Sequence, residues 1–128
     1  MQFQYTLALT HSSDLVYHIL IPNIVMKRFT SFREFYPFYL SEHQNYTCRV
    51  LHVVGTSLFF FFLFVALFSG NPFWLLVCPL MGYGFAWVGH FFFEKNKPAT
   101  FQYPVWSLAA DFKLYFEILA GTQNLRVK

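Results

Sequence analysis

Two long apolar segments occupy the middle of the chain, and a short polar break separates them. Residues 50–69 contain no Asp, Glu, Lys or Arg, and neither do residues 73–93. Each segment is close to the ~20 residues that an α-helix needs to cross the hydrocarbon core of a bilayer. The break at 69–72 reads Ser-Gly-Asn-Pro, residues that favour turns and interrupt helices. The pattern predicts an all-α integral membrane protein built on a transmembrane helical hairpin.

Shorter apolar segments on either side of the hairpin predict further helices that are interfacial or partly inserted. The segment at 15–26 is too short to span, and Pro37 allows at most a short helix on either side of it. Near the C-terminus, Ser107 is placed to cap an amphipathic helix of about 13 residues that ends at Gly121. We expect three parts along the chain: an interfacial N-terminal extension over 1–30, one membrane-embedded domain over 31–121 and a tail over 122–128.

Composition supports a lipid environment and argues against a nucleic-acid partner. The 128 residues include 19 Phe, and only 12% of them are charged. A soluble protein of this size could not hide so much apolar surface. Every charged residue lies within 14–49 or 94–128, so the positive-inside tendency predicts that both termini face the cytoplasm. The basic residues are scattered along the bilayer edge and form no patch suited to nucleic acid.

Histidines lie at the ends of the two apolar segments that are far from the turn. His52 and His90 are each about 18 residues from the turn, or roughly 28 Å along a helix. Both imidazoles are therefore expected at the same membrane surface. His43 can join them only if the chain bends between it and His52, and Asn45 or Thr47 could cap a new helix there.

Spacing alone leaves three interpretations of these histidines open. The first is a metal site, because neutral imidazole is the commonest metal ligand and burial keeps it neutral. The second is a set of structural histidines held by hydrogen bonds, and the third is a proton relay or general base. Glu94 lies four residues after His90 on the same helix face, and two histidines with a carboxylate would favour non-haem Fe(II) and oxygen. Cys48 is a further candidate ligand that we expect to pack instead.

Two motifs resemble those of a known family. The first begins Phe-Tyr-Pro-Phe-Tyr-Leu-Ser-Glu-His at residue 35 and continues through Asn45, Cys48-Arg49 and Leu51-His52. The second, at 89–99, reads Gly-His-Phe-Phe-Phe-Glu-Lys-Asn-Lys-Pro-Ala, and its Gly-His-x-x-x-Glu-Lys-x-x-Pro-Ala block is the most specific part. Together they resemble the signatures of the Fe(II)-dependent 2-hydroxy fatty acid dioxygenases, a family of small membrane proteins, over roughly residues 31–121.

This resemblance implies an enzyme of fatty acid α-oxidation that uses O₂ to shorten 2-hydroxy fatty acids by one carbon. It implies Fe(2+) as the cofactor, with His43, His52 and His90 as the essential histidines. Eukaryotic members act in phytosphingosine degradation in the endoplasmic reticulum membrane, and a bacterial member would lie in the inner membrane. Residues 1–30 have no counterpart in the family, and the stretch between the two motifs is shorter than in the long eukaryotic members.

The remaining charged residues of the two motifs receive expected roles in this scheme. Arg49, Lys95 and Lys97 are placed to bind the substrate carboxylate. Glu94 is expected to act in catalysis, as a ligand, as a partner that orients His90, or as a base. The small residues Gly82 and Ala86 would leave a groove for the acyl tail.

Two rival functions stay open. The first is another lipid-oxidising enzyme, which the absence of the multi-histidine boxes usual for di-iron lipid enzymes disfavours. The second is a non-catalytic membrane or assembly protein whose histidines only form hydrogen bonds. Bound metal would separate the enzymes from this second alternative, while the sequence gives no indication of oligomeric state.

Overall fold

The computed structural model describes residues 28–127, and this part of the chain is all-α, as predicted. Its elements are α1 (Phe32–Ser41), α2 (Tyr46–Ser69), α3 (Phe73–Val88), a π-helical turn (Gly89–Glu94), a 3₁₀ turn (Ala99–Phe101) and α4 (Pro104–Leu119). No strand occurs between residues 28 and 127. The predicted segment at 15–26 and the histidines His11 and His18 lie outside the described residues.

Helices α2 and α3 form the predicted hairpin. The 24 residues of α2 and the 22 residues from Phe73 to Glu94 are both long and apolar enough to cross a membrane. At 1.5 Å per residue α2 is roughly 36 Å long, more than the ~30 Å of a bilayer core. Gly70 ends α2 with a φ of 65°, a left-handed conformation that glycine adopts without a Cβ penalty. Apolar side chains such as Leu67 and Phe68, 72% and 76% exposed, point outward, which suits contact with lipid.

The two spans approach each other closely toward the end of the hairpin that carries the histidines. A Cβ built on Gly55 of α2 would lie 2.9 Å from Phe85 Cβ and 3.0 Å from the Met81 carbonyl oxygen, both on α3. A Cβ on Gly89 would lie 2.9 Å from Cys48 Sγ. Only residues without a side chain allow such an approach, so these two glycines set the spacing of the hairpin at this end.

A hydrophobic core lies between α1 and α4. Phe35 and Tyr39 of α1 pack against Ala110 and Leu114 of α4, and each of the four is almost fully buried. Aromatic rings surround this cluster: the Phe35 ring lies 5.2 to 6.4 Å, between centroids, from those of six neighbours. Since α4 also contacts α2, this core brings α1 against the open end of the hairpin.

The prediction that Pro37 limits α1 to short pieces is wrong. The helix is continuous over ten residues with Pro37 inside it. Pro37 lies on the exposed side, while Phe35 and Tyr39, one turn apart, are buried. Tertiary packing of that buried face therefore outweighs the one backbone hydrogen bond that proline cannot donate.

The predicted start of the C-terminal helix is also wrong. Helix α4 begins at Pro104 and ends at Leu119, because proline has the φ required in the first helical turn and loses no hydrogen bond there. Ser107 is therefore an interior residue of α4, 2% exposed. Its Oγ has no hydrogen-bond partner among the described residues. Gly121, with a φ of 76°, follows the end of the helix.

Replacing Gly55 by alanine should destabilise the hairpin, because the new methyl group would overlap Phe85 and the Met81 carbonyl. Overpacking of this kind typically costs about 1–3 kcal/mol, so the midpoint temperature of unfolding in detergent should fall. Gly84→Ala is the matched control, since a Cβ there meets no atom within 4 Å and alanine favours the helix. Equal midpoints for wild type and Gly55→Ala would contradict the close approach.

Candidate metal centre

Three imidazoles converge at the open end of the hairpin. His43 lies in the break between α1 and α2, His52 in the second turn of α2, and His90 in the π-helical turn. Their ring centroids are 4.4 to 5.1 Å apart, and none of the rings is more than 5% exposed. The predicted bend exists: Asn45 caps α2, and its side chain accepts hydrogen bonds from the N–H groups of Thr47 and Cys48.

The outer nitrogen of each ring faces an oxygen acceptor. The Nδ1 atoms lie 2.6 Å from the Tyr39 carbonyl oxygen for His43, 2.9 Å from the Cys48 carbonyl oxygen for His52 and 2.8 Å from Asn96 Oδ1 for His90. These acceptors assign the proton of each neutral ring to Nδ1. Each Nε2 therefore carries a lone pair, which is the arrangement of a histidine prepared to bind a metal.

The inner nitrogens lie so close together that their lone pairs repel one another unless a cation binds between them. His43 Nε2 and His52 Nε2 are 3.1 Å apart, and with both protons on Nδ1 neither has a hydrogen to share. Two nitrogens that each bind one ion at about 2.1 Å lie about 3.0 Å apart at a right angle. One ligand atom from each of His43, His52, His90 and Cys48 lies within 4.8 Å of the other three. The donor set therefore fits a transition metal ion.

The environment of His43 keeps its ring neutral. Burial, with a further contribution from His52 and His90, holds the pKa of His43 well below its ordinary value. The Tyr39 ring is stacked on the imidazole at 3.9 Å between centroids. The lone pair of His43 thus stays available at neutral pH.

The π-helical turn positions His90 through a local feature that the sequence pattern did not indicate. Lys95 ends the turn with a φ of 57°, and Asn96 then lies against His90: its N–H donates to the His90 carbonyl oxygen, and its Oδ1 faces His90 Nδ1. The Asn96 amide nitrogen donates to the Glu42 carbonyl oxygen at 3.1 Å and to a Glu42 carboxylate oxygen at 2.9 Å. These two bonds fix the amide so that its oxygen faces His90. Single π turns of this kind are frequent at functional sites.

The predicted catalytic residue, Glu94, ends the π-helical turn that carries His90 and is not one of the four residues whose ligand atoms come together. Its carboxylate accepts a hydrogen bond from the backbone N–H of Asn45, so it holds the break that positions His43. Two of the predicted substrate-binding residues, Lys95 and Lys97, closely follow Glu94 in the chain and have exposed side chains.

Arg49, the third predicted substrate-binding residue, is buried, with 2% of its surface exposed. Its Nε donates to the His43 carbonyl oxygen at 2.7 Å, and its Nη1 donates to the Asn124 carbonyl oxygen at 2.6 Å. The guanidinium therefore ties the backbone of His43 to the segment after α4. The sequence motif gave no sign of this, because the Asn124 contact spans 75 residues.

Sequence reasoning missed Asp111 of α4. Its side chain is 16% exposed, its Oδ1 lies 3.7 Å from His52 Nε2, and the same oxygen accepts a hydrogen bond of 2.5 Å from the Tyr39 hydroxyl. Burial raises the pKa of Asp111 to about 7, although the Tyr39 hydrogen bond and His90 lower it. The available signal was its position three residues after Leu108 and four before Tyr115, on the apolar side of the helix, since a carboxylate on such a face is costly unless it has a partner.

An apolar cavity adjoins the imidazoles. It has a volume of about 210 Å³ and lies between α2, α3 and α4. Its polar end carries His52 and Asp111, while Phe59, Phe112 and the small residues Gly82 and Ala86 line the rest. The predicted groove at Gly82 and Ala86 is therefore present as part of this cavity.

Comparison with known families identifies the relationship. The family model described as 2-hydroxy-palmitic acid dioxygenase Mpo1-like matches residues 29–123. The chain belongs to this family. No curated protein and no solved structure matches it. The Mpo1-like range contains all three convergent histidines, Cys48 and Asp111, and the family name indicates a dioxygenase of 2-hydroxy fatty acids.

Removing the oxygen that faces His90 should weaken metal binding by this Mpo1-like protein. In Asn96→Ala the His90 Nδ1 loses its acceptor, and losing such a partner typically costs 10–100-fold in metal affinity. We expect that loss for Zn²⁺, a redox-inert probe, in competition with a chelator. Gln44→Ala, an exposed change beside His43, is the control. An unchanged affinity for Asn96→Ala would show that the ring needs no such partner.

Proposed function

We propose that the protein is an Fe(II)-dependent dioxygenase that uses O₂ to shorten 2-hydroxy fatty acids by one carbon. The observation that carries this proposal is the set of three buried imidazoles with inward lone pairs at the polar end of an apolar cavity. His43, His52 and His90 would hold the ion, a donor set suited to iron among other divalent metals. Membership of the Mpo1-like family supports the substrate class.

The reaction balances without an external reductant. A 2-hydroxy acid, R–CH(OH)–COOH, and O₂ give R–COOH, CO₂ and H₂O. The bond between C1 and C2 breaks, C2 is oxidised to a carboxyl carbon, and O₂ takes up the four electrons. Iron, when bound, supplies the oxygen chemistry that amino-acid side chains lack.

The chain supplies binding and orientation. The acyl tail would occupy the cavity that Phe59 and Phe112 help to line, where apolar walls exclude water, and reach it from the surrounding lipid. The carboxylate and the 2-hydroxyl would then lie at the polar end beside His52. Exposed Lys95 and Lys97 would attract the carboxylate toward the site. Arg49 and Glu94 act as positioning residues, because their contacts fix the backbone on either side of the break that carries His43.

The proposed setting is the cytoplasmic face of a membrane. Residues 31–121 would form one membrane-embedded domain, with an interfacial extension over 1–30 ahead of it. The membrane would be the endoplasmic reticulum in a eukaryote, where the reaction would serve fatty acid α-oxidation in phytosphingosine degradation, or the inner membrane in a bacterium. The two apolar helices and the absence of charge near the 69–72 turn support this placement.

Metal analysis and oxygen uptake test the function directly. Protein purified in detergent should contain about one iron per chain and consume O₂ with 2-hydroxypalmitate but not with palmitate. His43→Ala, His52→Ala and His90→Ala should each lose iron and activity together. His18→Ala, which changes a histidine outside the family match, is the control. Folded protein that binds no metal and consumes no O₂ would instead favour structural histidines.

Filling the cavity should raise the KM for the long-chain substrate without loss of iron. Gly82→Leu would place a branched side chain among the lining residues. A misfit of even one methylene in an apolar pocket changes kcat/KM by roughly 10–200-fold. Gly84→Leu is the matched control, because Gly84 is outside the cavity lining and a Cβ there has open space. Kinetics of O₂ uptake with 2-hydroxypalmitate measure the effect. Equal KM values for both variants would place the acyl chain elsewhere.

A further inference from the structure

The carboxylate of Asp111 presents one uncommitted oxygen at the polar end of the cavity. Its Oδ1 accepts the hydrogen bond from Tyr39, whereas Oδ2 has no hydrogen-bond donor among residues 28–127. The atom is not sealed inside the protein either: the side chain keeps 16% of its surface exposed and lines the cavity. A carboxylate oxygen that faces an apolar cavity needs a hydrogen-bond partner from a ligand or from water.

The Tyr39 hydroxyl holds this carboxylate in place. Burial and the neighbouring Asp111 raise the pKa of Tyr39 well above its ordinary value, so the phenol stays protonated and acts as the donor. The ring of the same residue stacks on His43, and its backbone carbonyl oxygen accepts a hydrogen bond from His43 Nδ1. Asp111 is therefore fixed relative to the imidazoles, which is what a recognition group requires.

The ligand group that suits Asp111 Oδ2 is a hydroxyl. A carboxylate accepts hydrogen bonds and repels other anions, and in a cavity of low polarity both effects are stronger than in water. The carboxylate of a fatty acid would therefore be turned away from Asp111, toward the imidazoles. A hydroxyl on C2 lies beside that carboxylate and carries the hydrogen that Oδ2 can accept.

We propose that Asp111 accepts a hydrogen bond from the 2-hydroxyl of the substrate and so selects 2-hydroxy acids over acids that lack a donor on C2. This inference deepens the proposed function, because it assumes that the same cavity holds the acyl chain. It makes Asp111 a specificity determinant that contacts the substrate, separate from the three histidines.

Ligand binding under argon tests this recognition apart from turnover. The iron-loaded full chain in detergent is titrated at alkaline pH, where Asp111 is ionised. The two ligands are 2-hydroxypalmitate and 2-methoxypalmitate, which keeps an oxygen on C2 but has no hydrogen to donate. Wild type should prefer the hydroxy acid by about tenfold or more, the range for a hydrogen bond to a charged group. In Asp111→Asn the ratio of the two binding constants should fall to about 1, because the Asn amide can donate a hydrogen bond to the hydroxyl oxygen of one acid and to the methoxy oxygen of the other. Glu34→Gln, the corresponding change at an exposed carboxylate of α1, should leave it as in wild type.

Two results would overturn the proposal: a wild type that binds both acids equally, or an Asp111→Asn variant that keeps the wild-type preference. If Asp111→Asn loses iron or fails to fold, Asp111→Ala carries the test, because it removes both carboxylate oxygens and the charge without adding a donor. A preference that falls to about 1 then supports Asp111 as the acceptor. A preference as large as that of wild type overturns the proposal.

The same samples separate this inference from the proposed function. Iron content and O₂ uptake by wild type judge the dioxygenase, whereas the ratio of binding constants under argon judges Asp111. A protein that consumes O₂ with 2-hydroxypalmitate but binds the two acids equally would retain the proposed function and lose this inference. A protein that prefers 2-hydroxypalmitate but takes up no O₂ would retain this inference and lose the proposed function.

Discussion

The rest of the site depends on three imidazoles that are held so close together that their inner nitrogen lone pairs repel one another. His43 and His52 bring two nitrogen lone pairs within 3.1 Å of each other, and the third imidazole lies close to both. Each ring is held in this orientation by an oxygen acceptor on its far side, so rotation away from the others would break a buried hydrogen bond. A cation at the common point converts this repulsion into attraction, which is why the geometry favours a metal centre over hydrogen-bonded structural histidines.

Irregular backbone on two sides of the site makes the convergence possible. A continuous helix would place His43 and His52 on opposite faces, and the break capped by Asn45 removes that conflict. At the end of α3 the chain changes to a π-helical turn and then reverses at Lys95. Backbone groups freed at the edge of a membrane must find partners. Here Glu94 accepts the Asn45 N–H and Arg49 donates to the His43 carbonyl.

The proposed position of the centre at the edge of a bilayer suits an amphipathic substrate. The hairpin offers apolar surface outward, while the aromatic core between α1 and α4 brings Asp111 against His52. A fatty acid could therefore leave lipid tail-first into the cavity and keep its polar end among the imidazoles. In the proposed reaction Asp111 would contact the 2-hydroxyl on C2, and the histidines would hold the ion beside the carboxylate.

The sequence by itself determined the hairpin, its turn and the end at which the histidines lie. These follow from local rules: about 20 uncharged residues make a span, and the helical rise fixes the depth of each position. The motifs also indicated the family. Only the tertiary structure decided that Arg49 supports His43, that Asn96 orients His90 and that Asp111 faces the cavity. The last of these depends on a contact across 72 residues, between Tyr39 and Asp111, and periodicity along a chain carries no information about such distant partners because packing between helices selects them.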